Sequence, residues 1–212
     1  MNLWAIVPVK PLHRGKSRLA GVLNEGERYS LNIALLIRTL EVLQHVKGIS
    51  QTVVVSRDPA ALAIAADIGV EIVNEEGKPG LNAALMHATA MIQDCNPDGV
   101  VILPADLPLI QPADIETFIH LGNNPPVVVV APDRHESGTN ALMVRLAGLI
   151  EYSFGVGSFK QHCRSAQGAG AHLEICRIPS LALDLDLPED LEILQDMEMD
   201  LPGIKLPSII SH

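Results

Sequence analysis

The stretch PVKPLHRGKSRLA (8–20) gathers Lys10, Arg14, Lys16 and Arg18 within nine positions, in a chain with only 15 Lys and Arg and a formal net charge of −10. Positive charge concentrated around Gly15 suits an anion that carries several charges in a small volume, and a nucleoside triphosphate is such an anion. Lys16 and Arg18 are expected to point at phosphate oxygens, with Gly15 letting the backbone turn close to the ligand. Gly15-Lys16-Ser17 also ends like a P-loop, whose full pattern is G-x-x-x-x-G-K-[ST]. Lys10 stands where the first glycine of that pattern belongs, and Pro11 removes a backbone N–H from the cradle. The strand-to-loop context fits a P-loop and the residues do not. The plainer alternative is a solvated basic loop with no ligand.

A triphosphate site calls for Mg²⁺, held by one or two carboxylates with phosphate oxygens and water. Asp106 in LPADLPLI lies between prolines that stiffen its loop, and Asp184 and Asp186 stand two apart in LALDLD. Read as a strand, LALDLD sends both carboxylates to one face and Leu181, Leu183, Leu185 and Leu187 to the other. Like charges on one face repel unless something positive lies between them. A turn position for Asp106, and a solvent-facing edge strand for Asp184 and Asp186, are the alternatives.

A second anion site has weaker signals. In FGVGSFKQHC (154–163), Gly155 and Gly157 precede Ser158, which is placed to cap a following helix. Consecutive backbone N–H groups at a glycine-rich helix start form an anion nest. Thr139, beside Gly138, could add a hydroxyl donor. An ordinary loop and cap explain the same residues.

Other classes find little support. Aromatic residues make up 3% of the chain, and its net charge is negative, which together argue against nucleic-acid binding. Cys95, Cys163 and Cys176 show no C-x-x-C spacing, and the eight histidines form no H-E-x-x-H pair. Reduced core thiols in a cytoplasmic setting are expected. MNLWAIVPV is too short for a membrane span and is read as a strand. Neither G-x-S-x-G nor a Ser/His/Asp arrangement is legible, so no covalent mechanism is indicated.

These residues need a scaffold, and 212 residues with 48% hydrophobic content suffice for a single well-buried domain. Strands are expected at LWAIVPV, QTVVVS, VEIVN, GVVILPAD and VVVVAP. They alternate with helices at EGERYSLNIALLIRTLEVLQHV, DPAALAIAADIG, GLNAALMHATAMIQ and PADIETFIHL. That alternation predicts a mostly parallel α/β sheet covered on both faces. Ligands of such sheets sit outside the carboxyl ends of the strands, where the basic loop lies. After residue 131 the pattern changes, and TNALMV, HLEICRI and LALDLD suggest antiparallel strands or a flap. Residues 1–200 read as a single domain and 201–212 as a mobile or partner-docked tail.

In their order along the chain, IVPVK, GKSRLA, GLNAAL, LPADLPLI, PDRHESGTNAL, FGVGSF and LDLDLPEDL resemble the 2-phospho-L-lactate guanylyltransferase family of coenzyme F-420 biosynthesis. The resemblance covers roughly residues 3–195. It implies a Rossmann-like, three-layer α/β fold with a mixed, mostly parallel sheet of the nucleotide-diphospho-sugar transferase type. It also implies a reaction in which GTP joins 2-phospho-L-lactate, or phosphoenolpyruvate, with release of pyrophosphate. By the same resemblance, Lys10, Gly15, Lys16 and Arg18 match the nucleotide-phosphate loop, and Gly80, Leu81 and Asn82 the segment near the base. Asp106, Asp184 and Asp186 match the Mg²⁺ carboxylates, and Thr139, Gly155 and Ser158 the contacts to the phosphorylated three-carbon acid. Lys16, Arg18 and Asp106 are the expected catalytic residues, and a cytoplasmic homodimer is the expected form.

Overall fold

The computed structural model of the chain describes residues 2–77 and 80–197. Seven strands form one sheet: β1 (Leu3–Val9), β2 (Ile49–Ser56), β3 (Glu71–Asn74), β4 (Gly99–Ile102), β5 (Val127–Pro132), β6 (Thr139–Arg145) and β7 (His172–Ile175). Their order across the sheet is β3-β2-β1-β4-β6-β5-β7. β1 pairs in parallel with β2 and β4, β2 with β3, and β5 with β7, whereas β6 runs antiparallel to both β4 and β5. One reversed strand in a parallel sheet is the change of pattern that the sequence shows after residue 131.

The helices are α1 (Glu25–Gln44), α2 (Pro59–Asp67), α3 (Leu81–Ile92), α4 (Pro112–His120), α5 (Ser158–Gly168), α6 (Pro179–Ala182) and α7 (Pro188–Asp196). Local chemistry starts several of them. Asn24 accepts from Glu27 N while the Glu27 carboxylate accepts from Asn24 N, a reciprocal cap for α1. Asp58 accepts from Ala60 N, with Pro59 at the first turn of α2.

Alternation along the strands splits the core in two. Ala5 and Val7 of β1, with Val129 and Met143, pack against Leu36 and Leu40 of α1, Ala61 of α2 and Phe118 of α4. Ile6, Val100, Val128 and Leu142 face the other way, onto Leu85 and Ala88 of α3 and Phe159 and Ala166 of α5. A third, smaller cluster joins Leu19 and Leu23, near the 3-10 helix Ser17–Gly21, to Leu31 and Leu35 of α1 and to Leu183, Leu185, Leu191 and Leu194. It ties the end of the basic loop to the segment that carries Asp184 and Asp186.

That segment departs from the expected strand. Pro179–Ala182 is one helical turn, and residues 183–187 continue to α7 without a sheet partner. Leu181, Leu183 and Leu185 are nevertheless buried, and Asp184 and Asp186 half-buried between them. The apolar alternation reports burial, which helical and loop backbone can meet without a ladder. The tail read at 201–212, and the domain end at 200, lie outside the described residues.

Candidate active site

The carboxyl ends of β1, β2, β4 and β5 and the amino end of β6 meet at one rim of the sheet, because β6 alone runs the other way among them. The basic loop leaves β1 there and is pinned at Leu12. Leu12 N donates to the Asp58 carboxylate at 2.7 Å, Asn32 Nδ2 donates to Leu12 O at 2.6 Å, and the Leu12 side chain is buried. The loop is anchored, unlike a merely solvated one. Gly15 serves this anchoring: an added Cβ would lie 2.5 Å from Asn32 Nδ2, so the glycine lets the loop pack closely on the Asn32 side chain of α1. The left-handed residue of the loop is Lys16, at φ 57°.

Lys16 is the centre of the site. Its side chain is 6% exposed, and its Nζ lies 3.2 Å from Asp106 Oδ2 and 3.0 Å from Asp186 Oδ1. Burial works against a charged ammonium, but the charges of Asp106 and Asp186 and their hydrogen bonds outweigh it and hold the Lys16 pKa above its ordinary value. For Asp186, burial pushes the carboxyl up, while the charge and hydrogen bond of Lys16, then Lys10 and Arg18, bring it below the usual range. Arg18 stands at the edge, its side chain 70% exposed and 4.0 Å from Asp186.

Both aspartate loops are held rigidly. Arg38 of α1 donates to Pro108 O and Ile110 O, and Leu103, Leu107 and Ile110 are buried, which fixes the loop around Asp106. Leu185 N donates to Asp106 O at 3.0 Å and stitches the two loops together. Asp190, buried in the first turn of α7, accepts from Asp186 N at 2.8 Å and Leu187 N at 2.6 Å, and pairs with Arg134 at 2.8 Å. Arg134 N in turn donates to Ala182 O. Sequence reasoning passed over Asp190. The Pro-Glu-Asp start of α7 was its signal, since an acid three residues into a helix reaches back to free N–H groups.

Asp184 makes no ion pair among the described residues. Asn140 Nδ2 lies 3.3 Å from Asp184 Oδ1, and burial, then the Asp106 charge and more weakly that of Asp186, push its carboxyl above the usual range despite that bond. The positive group sought between Asp184 and Asp186 thus sits between Asp106 and Asp186 instead. Lys16 thus pairs with Asp106 and Asp186 but not with Asp184, whose half-buried carboxylate is the one that an added cation would stabilise. Among the described residues no group of three or more His, Cys, Asp or Glu is arranged to hold a metal by itself. Mg²⁺ held by these residues would therefore need oxygens of substrate phosphates as well.

The remaining expected residues form a second region. Asn82, at the start of α3, accepts from Phe154 N at 2.7 Å and donates to Phe154 O at 3.1 Å, so its amide holds the glycine-rich turn. Gly80 N donates to Glu75, which also pairs with Arg57 at 2.9 Å, and Leu81 is 37% exposed beside it. Gly155 (φ 129°) and Gly157 (φ 74°) take left-handed conformations around the solvent-exposed Val156. Ser158 does not cap α5: Gly157 is the N-cap, no side chain caps the helix, and Ser158 N closes the turn onto Gly155 O. The expected nest is therefore partly spent on itself. Thr139, at the start of β6, bonds His162 of α5 at 2.9 Å, a buried histidine that sequence reasoning passed over.

Residues 3–198 match the sequence profile of the family described as Guanylyl transferase CofC like. The chain is 40% identical over 195 residues to the phosphoenolpyruvate guanylyltransferase of Rubrobacter xylanophilus, covering 92% of this chain and 94% of that protein. It is 33% identical to the 2-phospho-L-lactate guanylyltransferase of Methanothermobacter thermautotrophicus, over 90% of this chain and 83% of the other. The fold is similar to that of a solved 4-diphosphocytidyl-2C-methyl-D-erythritol synthase, with TM-score 0.64 at 15% identity over 93% of this chain and 97% of that one. A sheet of the nucleotide-diphospho-sugar transferase type, an anchored cationic loop and a profile match along nearly the whole chain agree: this protein belongs to the CofC-like guanylyltransferase family.

Proposed function

We propose that this protein is a Mg²⁺-dependent enzyme that transfers the guanylyl group of GTP to phosphoenolpyruvate, with 2-phospho-L-lactate as the second acceptor, and releases pyrophosphate. Family membership supports guanylyl transfer, and the relative at 40% identity carries the phosphoenolpyruvate name. The observation that carries the catalytic reading is the buried Lys16 ammonium bridging Asp106 and Asp186 at the rim where the loops meet.

The acceptor's phosphate oxygen is already ionised near neutral pH, so attack on the α-phosphorus of GTP needs no strong general base. Catalysis then rests on alignment and on neutralising charge. Lys10, Lys16 and Arg18 hold the triphosphate, Lys16 from a buried position and Arg18 from the solvent edge, where it meets the departing pyrophosphate. Thr139, Gly155 and Ser158 lie on the α5 side and are assigned to the phosphorylated acid. Asn82 orders that turn from the start of α3, where Gly80 and Leu81 are assigned to the nucleotide. Asp106, Asp184 and Asp186 would hold Mg²⁺, whose chemistry is to withdraw charge from phosphate oxygens and orient them. A cytoplasmic homodimer belongs to the same reading, on family resemblance alone. No helix among the described residues is long and apolar enough to cross a membrane.

The test is pyrophosphate release by purified protein with Mg²⁺ and each of GTP, ATP, CTP and UTP, alone and with phosphoenolpyruvate, 2-phospho-L-lactate or a sugar phosphate. Release that requires GTP and one of the two acids is the expected result. Release with a sugar phosphate, or with no acceptor selectivity, overturns the assignment.

A further inference from the structure

His162 is 0% exposed, and both its ring nitrogens are engaged by the second region of the site. Ser153 N lies 3.0 Å from Nε2, and Thr139 Oγ1 lies 2.9 Å from Nδ1. A backbone N–H can only donate, so Nε2 is the acceptor of that bond. Neutral imidazole has one N–H, which must then be on Nδ1 and must donate to Thr139 Oγ1. Burial pushes the ring pKa down to about 4, so the neutral form holds at neutral pH. Phe154 packs edge-on against the ring, with centroids 4.8 Å apart, and restrains its rotation.

Two consequences follow from that tautomer. The Thr139 oxygen accepts a hydrogen bond from His162 Nδ1–H, so its own O–H cannot point back at the ring and is left to donate elsewhere. The same ring fixes Ser153, the residue before Phe154, and Phe154 is held from the other side by both amide atoms of Asn82. One neutral side chain therefore sets a hydroxyl direction on β6 and the start of the turn that leads to Gly155.

We propose that His162 is a positioning residue of the acceptor subsite, aiming the Thr139 hydroxyl proton and the Ser153–Gly157 turn at an anionic oxygen of the phosphorylated acid. This rests on the reading that Thr139, Gly155 and Ser158 face that acid. His162 itself touches no reacting atom in this account, so its loss weakens acceptor binding and leaves the chemical step in place.

The variants separate the two ring contacts. His162→Gln keeps an acceptor within reach of Ser153 N and loses the donor to Thr139, whereas His162→Asn keeps a donor near the Nδ1 position. With His162→Gln the KM for the acid is expected to rise about tenfold, with kcat and the KM for GTP within about twofold of the parent. Thr139→Val should do the same, and the double variant should be no worse than Thr139→Val alone, because both remove one interaction. His162→Asn should recover most of the loss. Additive effects in the double variant, an equal rise in the KM for GTP, or failure of His162→Asn to recover would overturn the proposal. Ring 15N shifts of His162 in the full chain without substrate give an independent readout: a protonated Nδ1 is expected, and a protonated Nε2 overturns the proposal whatever the substrate. An unchanged acid KM in Thr139→Val removes the acceptor-subsite reading and the proposal with it. Impairment in Thr139→Val with a normal His162→Gln leaves that reading standing and removes the role of His162 alone.

Discussion

The two halves of the site are built on opposite electrostatic principles. Around Lys16 the structure concentrates charge: a buried ammonium, three carboxylates, and Arg18 at the solvent edge. Around His162 it removes charge: a neutral imidazole, a hydroxyl and backbone amides, closed by Phe154. A charged region can exchange partners, because the Lys16 ammonium that holds Asp106 and Asp186 can equally hold other anionic oxygens. A neutral buried network has no such exchange, and every donor and acceptor must be assigned before the ligand comes. Under the proposed function, the first region would supply the electrostatics of the reaction and the second its geometry.

The comparison is broken most forcefully at the charged half. Asp106→Asn is expected to lower kcat about a thousandfold, with the melting temperature within about 5 °C of the parent. Substantial turnover in the variant, read as pyrophosphate release, would place the charge work elsewhere. Next comes the support of that half: Asp190→Ala leaves Arg134 unpaired and frees Asp186 N and Leu187 N. A loss of about 3 kcal/mol is expected, seen as a melting point lower by about 10 °C. Stability unchanged in denaturant titrations would mean that the third leucine cluster alone holds the segment.

The neutral half has its own signature in pH. The folded pKa of His162 lies at about 4, below the ordinary value of 6.5, so the unfolded chain binds the extra proton between those two values. The contribution of the group is therefore full above about pH 6.5 and falls away toward pH 4, by on the order of 3 kcal/mol. Asp184, whose carboxyl is raised, runs the other way in the lower part of that window and cancels in the difference between parent and His162→Gln. Denaturant melts of both proteins from pH 7 to pH 4.5 measure it, and parallel curves would show that His162 titrates normally. The smallest effect is expected at Arg18→Gln, a severalfold rise in the KM for GTP that shrinks as salt is added, because this side chain is exposed. A salt-independent loss of the same size would mean that Arg18 is desolvated on binding.

The elements were legible wherever a local rule names them. Asp58-Pro59 starts α2 and the β-branched runs are strands, because caps and period-two burial act within a few residues. LALDLD misled because the same alternation serves a loop whose leucines are buried by α1 and α7. Lys16 stood out as a cation after a strand, Asp106 as an acid between prolines, and Asp186 as one of two acids on an expected strand. Asp190 and His162 did not, since a helix-start acid and a core histidine are commonplace residues. Gly15 was noticed for close approach, but its packing on Asn32 was not legible, because Asn32 lies on another element.

The sequence by itself determined which groups the chain has for chemistry: it set the number of cations near the first strand, the three acids, and the apolar periods that place the basic loop and Asp106 at strand ends. Only the tertiary structure decided who faces whom. Lys16 meets Asp106 across 90 positions of sequence and Asp186 across 170, and Thr139 meets His162 across 23. Such pairs carry no local signature, because they are selected by the packing of leucines and by the burial of polar groups that must then find partners. The same packing turned an ordinary histidine into a neutral one with an assigned tautomer.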